Sequence, residues 1–209
     1  MKIEKLEKVP TRKEIFKLSF DSGENVILSA DIIVKFSLNN GVVISKETYK
    51  EVLAADKAYR VTYDALNLIS RSSYSSKTLC DKLLQKGYEL ENAKAAVARL
   101  KELGYINDDK YALEYTKYLL SKGKGEFAIK AALAEKGASK EQISNALELT
   151  KTEEEPFERI IKIMKTRFKN FDAKDQNEIR RAASFFLRRG FTSQDIAKAL
   201  REYKNIIIE

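Results

Sequence analysis

The sequence predicts a mostly α-helical protein of tandem three-helix repeats in an elongated, curved array, preceded by a small N-terminal β-hairpin segment. Three observations predict this fold class. Apolar and polar residues alternate only near the N-terminus, between residues 14 and 28. From Ser45 onward the apolar period becomes helical, and Gly87, Gly137 and Gly190 occupy matching places in an internal repeat.

The elements follow in order along the chain. Ile15, Phe16, Leu18 and Phe20 stand among Lys17 and Ser19. Asp21, Ser22, Gly23 and Glu24 then form a turn before Val26, Ile27 and Leu28, the pattern of a β-hairpin. A further apolar run of Ile32, Ile33, Val34, Phe36 and Leu38 meets Asn39, Asn40 and Gly41. Val42, Val43 and Ile44 then read as a short strand or extended arm, and about three strands make one small sheet. Val52, Leu53, Tyr59, Tyr63, Leu66 and Ile69 recur at helical spacing. Beyond them Gly87, Gly104, Gly137 and Gly190 each close an apolar periodic segment, where a residue just past a helix must take positive φ.

Taking Gly87, Gly137 and Gly190 as origins exposes the repeat. Four residues before each stands Leu83, Leu133 or Phe186, six after it Ala93, Ile143 or Ile196, and ten after it Val97, Leu147 or Leu200. Ser139 with Gln142 forms a capping box, and Thr192 with Asp195 holds the same offsets from its own glycine. These marks divide the chain into an N-terminal β segment with a linker helix (1–57) and three repeats, at 58–107, 108–156 and 157–209. The second ends in a joint of Lys151, Thr152, Glu153, Glu154, Glu155 and Pro156, whose carboxylates suit the first turn of the next helix. Helical triplets this small bury little alone, so neighbours are expected to share buried surface.

Composition narrows the chemistry. The 209 residues carry 39 Lys and Arg against 31 Asp and Glu, a formal net charge of +8, which favours polyanionic partners. The surplus is concentrated at the end: residues 157–209 hold 13 basic and 7 acidic side chains, an excess of six. One cysteine and no histidine exclude an internal disulfide framework, Cys₂His₂ zinc sites and Ser-His or Cys-His catalysis. The chain is therefore expected to be no enzyme, to need no cofactor or metal, and to act as a cytoplasmic monomer. The charged N-terminus lacks the apolar core of a signal peptide, and no apolar run approaches the roughly 18 residues of a membrane span.

The segment Arg71, Ser72, Ser73, Tyr74 and Ser75, leading to Leu79, Lys82, Leu83, Lys86 and Gly87, resembles the first-repeat signature of the RecX family of regulatory proteins. Leu100, Leu103, Gly104, Tyr105, Ile106, Asn107 and Asp108, with Tyr111 and Ala112, resemble that family's junction between first and second repeats. Gly123, Ile129, Leu133, Lys136 and Gly137, and then Arg180, Arg181, Ala182, Leu187, Arg189, Gly190 and Phe191, continue the resemblance over residues 12–205. Ala138 departs from it, standing where the family has a larger apolar residue. The resemblance implies a protein that binds the RecA recombinase filament on DNA, inhibits strand exchange and coprotease activity, and belongs to homologous recombination, DNA repair and the SOS response.

Candidate contacts to such a partner, or to single- and double-stranded DNA bound weakly and without sequence preference, fall in three groups. Arg180, Arg181, Arg188 and Arg189 form the C-terminal cluster, with Arg181 and Arg188 on nearly one helical face. Arg71, Lys77, Lys82 and Lys86 form a second set, with Tyr74 and Tyr88 near its ends, although Arg71 equally suits the carbonyls of a helix end. Lys122 and Lys124 flank glycines of a loop that lacks a full phosphate-binding pattern and reads as a flexible helix connection. Tyr105 and Ile106 read as a plug between repeats, Asn107 or Asp108 as the next N-cap, and Cys80 as a buried small hydrophobe. The alternative function is a stand-alone DNA-binding module of helix-turn-helix type, and a third reading is a pure protein-binding scaffold.

Overall fold

The chain opens with an antiparallel sheet in the order β1 (Ile3–Lys8), β2 (Ile15–Phe20), β3 (Asn25–Ser29). This computed structural model describes residues 1–10, 14–151, 154–169 and 171–208, and its contacts form two compact units. The first comprises Met1–Tyr74 with Leu79–Ile106; the second comprises Ser75–Thr78 with the chain from Asn107.

In the first unit, β2 and β3 are the expected hairpin, with Phe16 opposite Leu28 and Leu18 opposite Val26. Leu18, Phe20 and Leu28 are buried as the pleat requires. The third strand is not the expected segment 42–44 but β1. A register irregularity between Ile3 and Lys5 breaks the two-residue period there, so Ile3 and Leu6 do not announce a strand. Residues 42–44 act as the extended arm: Ile3 N donates to Val42 O at 2.8 Å and Ile44 N to Met1 O at 2.9 Å. The run at 30–35 is also helical, α1 (Ala30–Lys35), burying Ile32 and Ile33 against the sheet.

One long helix, α2 (Lys46–Ile69), serves two cores. Val52 joins the sheet core, whereas Val61 and Ala65 join a second core with residues of α3 (Ser76–Gln85) and α4 (Leu90–Glu102), Leu79, Leu83, Val97 and Leu100 among them. Its bond to the sheet is polar and buried. Asp56, 6% exposed, accepts from Ser29 N at 2.7 Å and pairs with Arg60 Nε at 2.6 Å, while Arg60 Nη2 donates to Ile27 O at 2.7 Å. The carboxylate thus satisfies an amide at the end of β3 and fixes the guanidinium that covers a carbonyl of the same strand.

The second unit continues with α5 (Asp108–Ser121), α6 (Glu126–Glu135), α7 (Lys140–Leu149), α8 (Pro156–Arg167), α9 (Gln176–Arg188) and α10 (Ser193–Ile208). Among the described residues no strand follows β3 and no helix is long and apolar enough to cross a membrane. The expected capping box is present, Ser139 Oγ accepting from Gln142 N and Gln142 Oε1 from Ser139 N. Thr192 Oγ1 accepts from Asp195 N in the same way. Of the joint, Thr152 and Glu153 lie outside the described residues. Glu155 N donates to Glu158 at 2.9 Å, and Glu154 pairs with Lys162 at 2.6 Å.

Replacing Asp56 by Ala leaves the Ser29 amide without its buried acceptor and should lower stability by about 2 kcal/mol, read as a reduced urea midpoint with unchanged slope. Three phenols of the first unit resist ionisation. Tyr49 is pushed up to about 12 by burial and Glu24, Tyr59 to about 12 by its bond to Asp31 and burial, and Tyr88 to about 12 by burial and Asp64. Each folded value lies above the ordinary value of 10.0, so the stabilisation is whole below pH 10 and is lost as pH rises through 12. Alkaline unfolding of the first unit should shift to higher pH in the Tyr59→Phe variant, followed by circular dichroism.

Candidate nucleic-acid interface

The glycines that mark the repeat close their helices in one way. At the end of α9, Phe191 N donates to Phe186 O at 3.2 Å and Gly190 N to Leu187 O at 2.9 Å, with Gly190 at φ +84°. This is a Schellman cap, and the Phe186 and Phe191 rings make its apolar contact at 5.8 Å. The same bond pair ends α3, α4, α5 and α6. The buried acceptors there are Leu83, Leu100, Leu119 and Leu133.

Two of these caps receive the N-terminal turn of another second helix. Ser75 Oγ, just before α3, donates to Lys136 O at 2.6 Å, and a Cβ on Gly137 would meet Lys77 Cβ at 2.5 Å. In the next repeat, Gly125 N donates to Arg189 O at 2.7 Å and Phe127 N to Gly190 O at 3.1 Å. A Cβ on Gly125 would strike the Gly190 carbonyl, and one on Gly190 would strike the Ala128 backbone. Opposite helix ends so placed bring free N–H groups to free carbonyls. The loop at 122–125 is therefore docked rather than a flexible connection.

This docking decides what several candidates do. Arg189 is half-buried; its Nη1 donates to Lys122 O at 2.6 Å and Gly123 O at 3.1 Å, and its guanidinium lies 4.6 Å from the Phe185 ring centre. It holds the loop. Lys122 has its ammonium 5.5 Å from the Tyr118 ring centre, and Lys124, half-buried, follows it in the same loop. Lys77 is exposed with its stem against Gly137, and Lys82 donates to Gln85 at 3.0 Å. Lys86 pairs with Asp64 at 2.9 Å, the carboxylate that also accepts from Tyr88 Oη at 3.0 Å. Arg71 is exposed in the turn after α2.

Arg181 and Arg188 remain exposed and share an open cleft. On α9, Glu178, Arg181, Phe185 and Arg188 follow one another at helical spacing along it. The facing wall comes from the end of α8 and the turn after it, with Arg167, Phe168, Lys169 and Phe171. Arg167 lies 4.9 Å from the Phe185 ring centre, so two guanidinium groups use that ring and the apolar floor carries the bases of the cations. Among the described residues no carboxylate lies within ion-pair distance of Arg180, Arg181 or Arg188. Arg180 is exposed but does not line the cleft.

Arg167 and Lys169 are functional candidates that the sequence did not single out. Only their place beside Arg181 in the folded unit marks them, although the surplus of charge in residues 157–209 was legible. One further expectation is corrected and another is resolved between its two alternatives. Ile106 is buried at 3% exposure, but Tyr105 is 61% exposed and plugs nothing. Asn107 caps α5, accepting from Lys110 N at 2.8 Å, whereas Asp108 accepts from Ser76 N at 2.7 Å and Ser76 Oγ at 2.8 Å and so caps α3. Cys80 is half-buried, and burial with Asp81 nearby raises its thiol pKa, which keeps it protonated and unreactive.

Comparison with known proteins assigns the repeats. Models described as the RecX first, second and third three-helix domains match residues 64–100, 107–147 and 153–200. A regulatory protein RecX of Legionella pneumophila (strain Corby) is 30% identical over 141 residues, 68% of this chain and 93% of that one. The chain belongs to the RecX family. A Clostridium perfringens relative is 34% identical over 126 residues, of whose length this chain spans 59%, and a Listeria welshimeri relative is 28% identical over 95% of this chain and 74% of its own. A crystal structure of a regulatory protein RecX has the same fold with a TM-score of 0.71, at 20% identity, over 96% of this chain and 98% of that one. That of RecX from Lactobacillus salivarius gives 0.61 at 24% identity, over 71% of this chain and 97% of its own. Each matched RecX domain contains one glycine of the repeat, Gly87, Gly137 or Gly190.

The docking geometry separates two glycines of similar φ, +90° at Gly87 and +84° at Gly190. A Cβ on Gly87 meets nothing within 4 Å, so Gly87→Ala carries only the left-handed backbone cost of about 1 kcal/mol. Gly190→Ala adds a backbone collision and should cost about 3 kcal/mol in total. Urea unfolding of the two variants tests this, and equal losses would contradict the docked geometry.

Proposed function

We propose that this RecX-family chain is a regulator that binds the RecA filament on DNA and inhibits strand exchange and coprotease activity. The observation that carries the reading is the ordered set of three RecX three-helix domains, matched over residues 64–200, in a family whose relatives are named regulatory proteins. A basic cleft in the third domain supports it, because Arg167, Lys169, Arg181 and Arg188 form a phosphate-binding surface whose cations have no carboxylate partners among the described residues. Arg180, exposed on α9 outside the cleft, is a further candidate contact.

Each three-helix domain makes its own contacts with a lattice of identical protomers. Modest contacts of this kind add through effective concentration, so tight binding requires no single deep pocket. The domains divide at 57/58, 107/108 and 156/157. The chain acts as a monomer in the cytoplasm, without a cofactor and without catalysis of its own.

Protein added to RecA, single-stranded DNA and ATP should lower the DNA-dependent ATPase at substoichiometric to stoichiometric ratio. Unchanged ATPase with no cosedimentation would reject the reading, and a footprint on naked duplex at physiological salt would favour a stand-alone DNA-binding module. Replacing Arg181 and Arg188 by Ser removes two phosphate contacts and should reduce the salt slope of single-strand binding by about 1.4, near 0.7 per contact.

A further inference from the structure

The face of α5 carries three tyrosines, Tyr111, Tyr115 and Tyr118, at spacings of four and three, followed by Lys122 four residues later. At about 100° per residue these positions fall within a stripe roughly 60° wide. The rings are ordered as well as aligned: centres stand 5.8 Å apart at 23° between Tyr111 and Tyr115, and 6.0 Å apart at 16° between Tyr115 and Tyr118. The Lys122 ammonium closes the series 5.5 Å from the Tyr118 ring centre. Tyr118 is 52% exposed and the other two are half-buried. α5 gives the core of this cluster Ala112 and Leu119, with Tyr115 and Leu120 packed against it, whereas Tyr118 is not among its members, so packing there does not demand an aromatic residue at 118.

We infer that this tyrosine stripe is a stacking platform for the bases of single-stranded nucleic acid. Three near-parallel π-faces in series suit a ligand made of repeated planar units, and stacking accepts every base, so such a surface needs no sequence preference. The surrounding charge suits a polyanion. Lys122 terminates the stripe, Lys117 stands farther round the helix, exposed and unpaired among the described residues, and Glu114, exposed beside Tyr118, already faces Lys110 at 3.9 Å. Phosphates then lie along the lysines while bases lie on the rings. A protein partner would draw on the hydroxyl groups and apolar edges of the same residues and would not require the flat faces.

The inference does not depend on recombinase binding, so its test contains no recombinase. Anisotropy of a labelled oligothymidylate is compared with that of an abasic strand of equal length, using the full chain. The intact protein should bind the base-bearing strand at least about fivefold more tightly. Tyr118→Leu should remove most of that preference and Tyr118→Phe should retain it. The chain has no tryptophan, so quenching of its tyrosine emission by the base-bearing strand alone gives a second reading. Equal affinity for the two strands, no binding of either, or a Tyr118→Leu variant as selective as the intact chain would overturn the inference. Far-ultraviolet circular dichroism of both variants establishes that α5 is folded in each comparison.

Discussion

The left-handed residue that follows a second helix is the constraint on which the second unit depends. A side chain at that position opposes the backbone twice. It costs energy at positive φ, and at Gly137 and Gly190 it also occupies the space into which Lys77 and Ala128 pack. With hydrogen in place of Cβ, the Schellman bonds satisfy the last carbonyls of one helix while the exposed peptide edge accepts donors from the start of another. One residue type thus performs termination and docking together. Ser37 shows the termination alone: Leu38 N donates to Ile33 O and Ser37 N to Val34 O at the end of α1, with Ser37 at φ +50°.

The same constraint sorts the cations. Arg189 stands in the cap itself, where two carbonyls and the Phe185 ring surround its guanidinium, so releasing it for a ligand would leave those acceptors without their donor. Lys86 is held differently. Its pair with Asp64 is solvent-accessible, with 45% of the lysine side chain exposed, and such pairs contribute about 0–1 kcal/mol. A phosphate can compete for Lys86 far more readily than for Arg189. Arg181 and Arg188 need no release at all, so the cleft they line with Arg167 and Lys169 is the stronger candidate for an anion.

Neither surface resembles an enclosed small-molecule site. The cleft between α8 and α9 is open and lined by Phe168, Phe171 and Phe185, and the α5 stripe is a row of rings along one helix. Extended ligands with repeating charge or repeating planar groups fit such surfaces, because each unit adds a modest increment and none must be wholly buried. The proposed regulation of a nucleoprotein filament calls for a ligand of that kind.

Residue order alone determined the helical class, the hairpin at residues 15–29, the glycine register and the Ser139 capping box, because each rests on local backbone and side-chain chemistry. It also carried the family resemblance, which lies in the same glycine-spaced motifs. What it did not disclose were partnerships between segments far apart. β1 hid behind a register irregularity and a charged edge, and Asp108 served α3 rather than its own helix. Arg189 turned inward onto a loop 66 and 67 residues away, while Arg167 and Lys169 came to line one cleft with Arg181 and Arg188. A cation's role depends on which carbonyls, carboxylates and rings surround it after packing, and that neighbourhood exists only in the folded unit.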